Sequence, residues 1–172
     1  MKPLTLAATL PAAGLMLMGA APLPSGDLTV SIGIPRISSA SYHRPYVAVW
    51  IERPDETAVR TLSVWYDTAL PAGEGKDWLR DIRTWWRKDG RNLTLPADGV
   101  SGPTRAPGSQ TVTIPATRLR DLPAGNYVLA VEAARELGGR EIVRMPFRLG
   151  AANTASGTGD SELGAVRVTV AR

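Results

Sequence analysis

Cysteine is absent from the 172 residues, which excludes disulfides, thiol redox chemistry, thiolate metal sites and iron–sulfur clusters. Histidine occurs once, at His43, so a multi-histidine metal site is excluded and any Ser-His triad would have to use His43 itself. No nucleophile–base–carboxylate pattern accompanies it, which argues against a hydrolase. Lysine is scarce as well: three of the twenty cations are Lys and seventeen are Arg, against sixteen acids. The resulting net charge of +4 is scattered among acidic residues, unlike the basic stripe of a nucleic-acid-binding surface. A compositional preference for Arg accounts for the excess as well as an anion site would.

What is present describes one globular domain. Apolar residues make up 44% and charged residues 21% of the chain, outside the range of disordered sequences and long enough for a single core. Seventeen Gly and fourteen Pro suit short strands joined by turns and argue against a helical bundle. Met1 to Ala21 has a cationic Lys2, an apolar run broken by Pro11 and Gly14, and small residues at its end. This is the form of a cleaved export signal, whereas a membrane anchor needs about 20 unbroken apolar residues. Residues 1–24 are therefore assigned to a signal peptide, 27–172 to the mature domain, and the compartment to the periplasm.

The mature segment reads mainly as β. Leu28–Ile34 alternates. Pro45–Glu52 is apolar on both faces, as a central strand should be, and Val59–Tyr66 alternates with Leu62, Val64 and Tyr66 on one side. Thr111–Ile114, Gly125–Glu132, Glu141–Leu149 and Ala165–Val170 complete seven strands. Their number and spacing predict an immunoglobulin/fibronectin-like antiparallel β-sandwich. Tyr127, entering a late strand after Leu122-Pro123-Ala124-Gly125, fits either a tyrosine corner or an ordinary strand aromatic. Between Lys76 and Lys88, apolar Trp78, Leu79, Ile82, Trp85 and Trp86 fall on one face of a single amphipathic helix. That face either covers the sandwich or forms an aromatic wall beside a planar ligand. Residues 92–110 form a long loop of the kind that often carries function, and 151–160 read as a flexible connector.

Within the long loop stands Asp98-Gly99-Val100-Ser101-Gly102-Pro103-Thr104. It resembles the flavinylation signal Asp-x-x-(Ser/Thr)-Gly-Ala-Thr, with Pro103 in the place of Ala; a plain Asp-Gly/Gly-Pro turn loop is the alternative. The resemblance implies FMN joined by a phosphodiester to the hydroxyl of Thr104. It also implies that Asp98 either activates that hydroxyl or binds the metal of the periplasmic flavin transferase. Ser101, Gly102 and Arg105 from the same loop, and Trp85 from the helix, complete the expected cofactor site. Beyond the motif, Tyr42 to Glu52, Trp78 to Arg87, Ser101 to Gly108 and Leu122 to Glu136 are similar to a family of predicted periplasmic proteins of unknown function. That family is encoded beside PepSY-domain membrane proteins and flavin transferases. The similarity extends over about residues 27 to 170 and implies a single β-sandwich that carries electrons outside the cytoplasm, with ferric-iron reduction as one associated role. Arg44, Arg80, Arg83 and Arg87 could then pair with a flavin phosphate or an anionic ferric chelate, or simply be solvated. Two readings stand beside the flavin carrier. One is a cofactor-free binding or accessory sandwich; the other is a haem carrier using His43 and Met145 as axial ligands.

Overall fold

A computed structural model describes residues 26–171; the expected signal peptide lies outside the described residues. Among the described residues nine strands form two sheets. β1 (Leu28–Ile34), β5 (Gly108–Ile114), β8 (Asn153–Thr158) and β9 (Ala165–Val170) make a four-stranded sheet in the order β5-β1-β9-β8. β2 (Tyr46–Glu52), β3 (Ala58–Tyr66), β4 (Ser101–Pro103), β6 (Gly125–Ala134) and β7 (Arg140–Leu149) make a five-stranded sheet in the order β4-β3-β2-β6-β7. All pairings are antiparallel except β3 with β4.

The expected sandwich is therefore present. Its connections follow the immunoglobulin pattern, with β1 and β5 as the B–E pair and β3, β2, β6 and β7 as C′, C, F and G. The place beside β1 that a first strand usually takes is filled by the last one, β9. Tyr127 closes the corner between β5 and β6: its hydroxyl donates to the Pro123 carbonyl at 2.8 Å, the tyrosine-corner geometry.

Alternation places Leu28, Val30, Ile32 and Ile34 of β1 inward against Val47, Val49 and Ile51 of β2 and Leu129 and Val131 of β6. The both-face burial expected for β2 has a specific cause. Its other face, carrying Ala48 and Trp50, meets Val64, Tyr66, Ala130 and Ala134 under a helical layer that contributes Leu79, Ile82 and Trp85. The described residues thus form two apolar cores, one between the sheets and one outside the larger sheet.

Four details differ from the sequence expectations. Leu62 joins the inter-sheet core, away from Val64 and Tyr66. A bulge, with Val49 opposite Ser63 but Trp50 opposite Thr61, inserts Leu62 and reverses the faces beyond it. The single helix is two pieces, a 3-10 segment Pro71–Asp81 and a short α-helix α1 (Arg83–Lys88), broken at Ile82. Leu79 of the 3-10 segment, Ile82 at the break and Trp85 of α1 all face the sheet, while Trp78 is left 49% exposed.

The long loop contains a strand, β4, so the Thr104 motif lies in and beside the sheet and not outside it. The 151–160 connector contains β8, whose alternation of half-buried and exposed small residues was too apolar-poor to register. Gly157 is needed there, since a Cβ would lie 2.9 Å from Val143.

Two carboxylates hold the connections. Glu132 is fully buried on the outer face of β6 and accepts the backbone N–H groups of Thr84 (3.1 Å) and Trp85 (2.9 Å), with Arg140 at 2.6 Å. Those amides belong to the first turn of α1, which has no upstream carbonyl to serve them. Glu141 on β7 accepts four backbone N–H groups, from Asp160, Ser161, Glu162 and Leu163, at 2.6–3.1 Å. Burial pushes its carboxyl up, but the donors from Asp160, Leu163 and Ser161 outweigh it and leave the group below the usual glutamate value.

Trp85 is fully buried and donates from Nε1 to Thr61 Oγ1 at 2.8 Å, so Trp85→Ala should destabilise by about 3–5 kcal/mol. Trp78→Ala should change stability by less than about 0.5 kcal/mol, both measured by urea unfolding. Because Glu141 ionises more readily folded than unfolded, its stabilisation is present above the ordinary value of 4.5 and lost as pH falls through the folded value. Glu141→Gln should flatten that acid limb in unfolding midpoints measured as a function of pH.

Candidate functional site

The register of the larger sheet brings four chain segments together at one end. Tyr46 pairs with Ala134, Val47 with Trp65, and Tyr66 with Pro103. The residues just beyond these pairs, before β2 and after β3, β4 and β6, converge on a cleft of about 620 Å³. Tyr42, Tyr46 and Trp78 supply its aromatic surface, and Thr104 and Pro103 stand at its β4 side. The volume is within the roughly 300–1,000 Å³ typical of small-molecule sites.

Charge in the cleft is mixed. Asp67, Asp81 and Glu136 face Arg44, His43 and Arg135. His43 Nδ1 lies 3.3 Å from Glu136 Oε2. The Tyr46 hydroxyl is pushed above its ordinary value by burial first, with the charges of Asp67, Glu136 and Asp81 adding to the rise. Arg135 is the buried cation: its Nε and Nη2 donate to Glu162 at 2.9 and 3.1 Å, and Glu162 also takes the Gly139 N–H at 2.7 Å. The pair is net neutral.

Of the six residues expected at the cofactor site, only Thr104 lines the cleft. Its N–H donates to the Tyr66 carbonyl at 3.1 Å, which holds the backbone to the end of β3. Asp98 is exposed in the turn before β4, whereas Thr104 follows it. The three-residue strand β4 lies between them, rising about 3.3 Å per residue.

The others serve the fold. Ser101 Oγ accepts the Ala97 N–H at 3.0 Å. Gly102 pairs with Trp65. Arg105 stacks its guanidinium 4.3 Å from the Trp65 ring centroid and donates to the Thr111 carbonyl at 3.1 Å. Trp85 is fully buried in the outer core and cannot form the expected aromatic wall for a ligand; the tryptophan that borders the cleft is the half-exposed Trp78. Pro103 is compatible with the edge of the sheet. The bonds to β3 run through Val100 and Thr104, so the N–H that proline lacks would lie on the open side.

The haem pair is also overturned. Met145 is buried between the sheets while His43 borders the cleft, so the two cannot bind one iron. Nor do the four arginines gather: Arg44 borders the cleft, Arg80 lies 6.0 Å from the Trp78 ring centroid, and Arg83 and Arg87 are exposed on α1.

Sequence reasoning missed Tyr42, Asp67, Arg135 and Glu136. Their shared signal was position: each sits just outside a strand end, at the same end of adjacent strands. That becomes visible only once the pairing order is known.

No curated protein and no solved structure matches the chain. One family model does, described as "Predicted periplasmic protein (DUF2271)" and matching residues 27–165. With the model spanning nearly the whole sandwich, the chain belongs to this family of predicted periplasmic proteins.

Proposed function

We propose that the protein is a periplasmic electron carrier with FMN attached covalently to Thr104, loaded by a periplasmic flavin transferase and working with a PepSY-type membrane partner. In this role it is a carrier and not a stand-alone enzyme, and ferric-iron reduction, through an anionic ferric chelate, is one process it would serve. The observation that carries the reading is the position of Thr104. Of the residues in the Asp98–Thr104 motif other than Pro103, it alone borders the cleft, which an exposed tryptophan also lines.

The residues fit such a group. β4 is an edge strand, so Thr104 is approachable from the side that has no neighbouring strand among the described residues. Trp78 and Tyr42 offer flat apolar surface for an aromatic ring system. FMN would supply the electron transfer.

Attachment needs only a hydroxyl from this chain. The Thr104 Oγ1–phosphorus bond forms as a flavin dinucleotide loses its nucleotide monophosphate, and the hydroxyl proton passes to the transferase's base. The backbone hydrogen bond from Thr104 to Tyr66 positions the acceptor without engaging its side chain. A cofactor-free binding or accessory domain is the second reading. It is favoured by the use of Ser101, Gly102 and Arg105 in fold contacts.

Co-expression with a periplasmic flavin transferase tests the proposal. The intact mass should rise by one FMN less one water, with the flavin retained through denaturation. Thr104→Ala should abolish the adduct and Thr104→Ser retain part of it, while Pro103→Ala should raise the yield if Pro103 is what departs from the transferase's preference. Unmodified wild-type protein, under conditions that flavinylate a standard acceptor, would leave the binding domain as the better account.

A further inference from the structure

A second, more open groove of about 440 Å³ lies at the other end of β3 from the cleft. Val59, Leu93 and Val100 give it apolar walls, and Arg118 and Asp89 bring opposite charges to it. Each charge is fixed by the fold. Leu62, the residue that the bulge leaves without a partner on β2, accepts from Arg118 Nη2 at 3.1 Å, and the Gly99 carbonyl accepts from Nη1 at 2.6 Å. Asp89, at the end of α1, accepts the Thr61 hydroxyl through Oδ2, and Thr61 in turn accepts from Trp85 Nε1. The two charges are therefore anchored on consecutive residues of β3, yet neither forms an ion pair among the described residues. Arg118 Nε and Asp89 Oδ1 take no part in these bonds. Neither is among the sealed polar atoms, which belong to Tyr42 and Arg135, so both stay open to solvent.

Burial pushes the Arg118 guanidinium below its ordinary value, and the charge of Arg60 pushes it further. Arg60 itself is answered by Asp121 at 2.5 Å. Carbonyls hold Arg118 in position but bring no counter-charge, and a hydroxyl does the same for Asp89. A simple anion drawn to Arg118 would meet the repulsion of Asp89, and a simple cation drawn to Asp89 that of Arg118. A molecule carrying both charges answers both residues. We infer that the groove binds a small aliphatic zwitterion of the α-amino-acid class, its carboxylate on Arg118, its ammonium on Asp89 and its side chain against Leu93 and Val100. Both polar contacts are charge-assisted hydrogen bonds, and the walls give an aliphatic side chain apolar surface to cover. This site shares no residue with the Thr104 cleft and stands whether or not the flavin reading does.

The test titrates the mature protein at pH 7 with L-leucine, with leucinamide, which keeps the ammonium and lacks the carboxylate, and with N-acetyl-leucine, which keeps the carboxylate and lacks the ammonium. Amide shifts of Thr61 and Asp89 in nitrogen-15 spectra report occupancy. Leucine should saturate the site, and each half-ligand should bind about tenfold more weakly, as loss of one charge-assisted bond would give. Asp89→Asn, which keeps an oxygen for Thr61, should weaken leucine about tenfold and leave N-acetyl-leucine no weaker. Arg118→Gln should weaken leucine similarly and leave leucinamide no weaker. A half-ligand that matches leucine on the wild-type protein would overturn the inference, showing a simple ion site or a merely apolar groove. So would the absence of leucine binding up to about 10 mM, or a leucine affinity unchanged in either variant. The comparison of the three ligands needs no substitution, so it decides the question even where a variant fails to fold.

Discussion

The carboxylate of Glu132 is the constraint on which the outer half of the molecule depends. It sits fully buried on a strand face, where an unpartnered charge would be prohibitively costly. Its oxygens are instead occupied by two backbone amides at the start of α1 and by the guanidinium of Arg140. The same contacts restart the helix at Arg83, after the break at Ile82, and press Trp85 onto the sheet. Glu52 repeats the arrangement on the neighbouring strand, accepting from Trp50 Nε1 at 2.8 Å, Lys88 at 2.6 Å and Arg144 at 3.1 Å. The larger sheet is therefore covered by a layer attached through charged groups at two places, with apolar packing between them.

That cover determines what remains open. Leu79, Ile82 and Trp85 face inward and Trp78 therefore faces outward, at the end of the sheet where Thr104 emerges from β4. Small residues help: Ala48, Ala130 and Ala134 leave room on the sheet for Trp50 and Trp85. A close approach fixes the other end of the helical segment, because a Cβ on Gly75 would lie 1.8 Å from the Asp67 carbonyl oxygen. The cleft is thus a consequence of where the helical layer stops, and its aromatic and polar groups come from segments that share no sequence neighbourhood.

Much of the sandwich was legible because alternation and β-branched residues mark strands directly. Leu28–Ile34 is one case, and the tyrosine corner at Tyr127 another. What was not legible depended on partners. Glu52 and Glu132 occupy strand positions that normally face water, and nothing in β2 or β6 alone tells that a helical layer will bury them. The bulge at Leu62 changes faces without any Gly or Pro to mark it. β8 is built from small polar residues whose only signal is the fit of Gly157 against Val143. For the site, the motif pointed to Thr104 and the tryptophan-rich segment to an aromatic surface, but a helix period of 3.6 puts Trp78 and Trp85 on one face, whereas the break at Ile82 leaves Trp85 buried and Trp78 exposed.

Glu132 holds the helical layer on a sandwich that stands without it. Amide hydrogen exchange in Glu132→Ala tests this directly. The Thr84 and Trp85 amides should lose their protection, while those of β1 and β9, on the opposite sheet, keep theirs. Unchanged protection at Thr84 and Trp85 would contradict the claim, as would equal loss across both sheets.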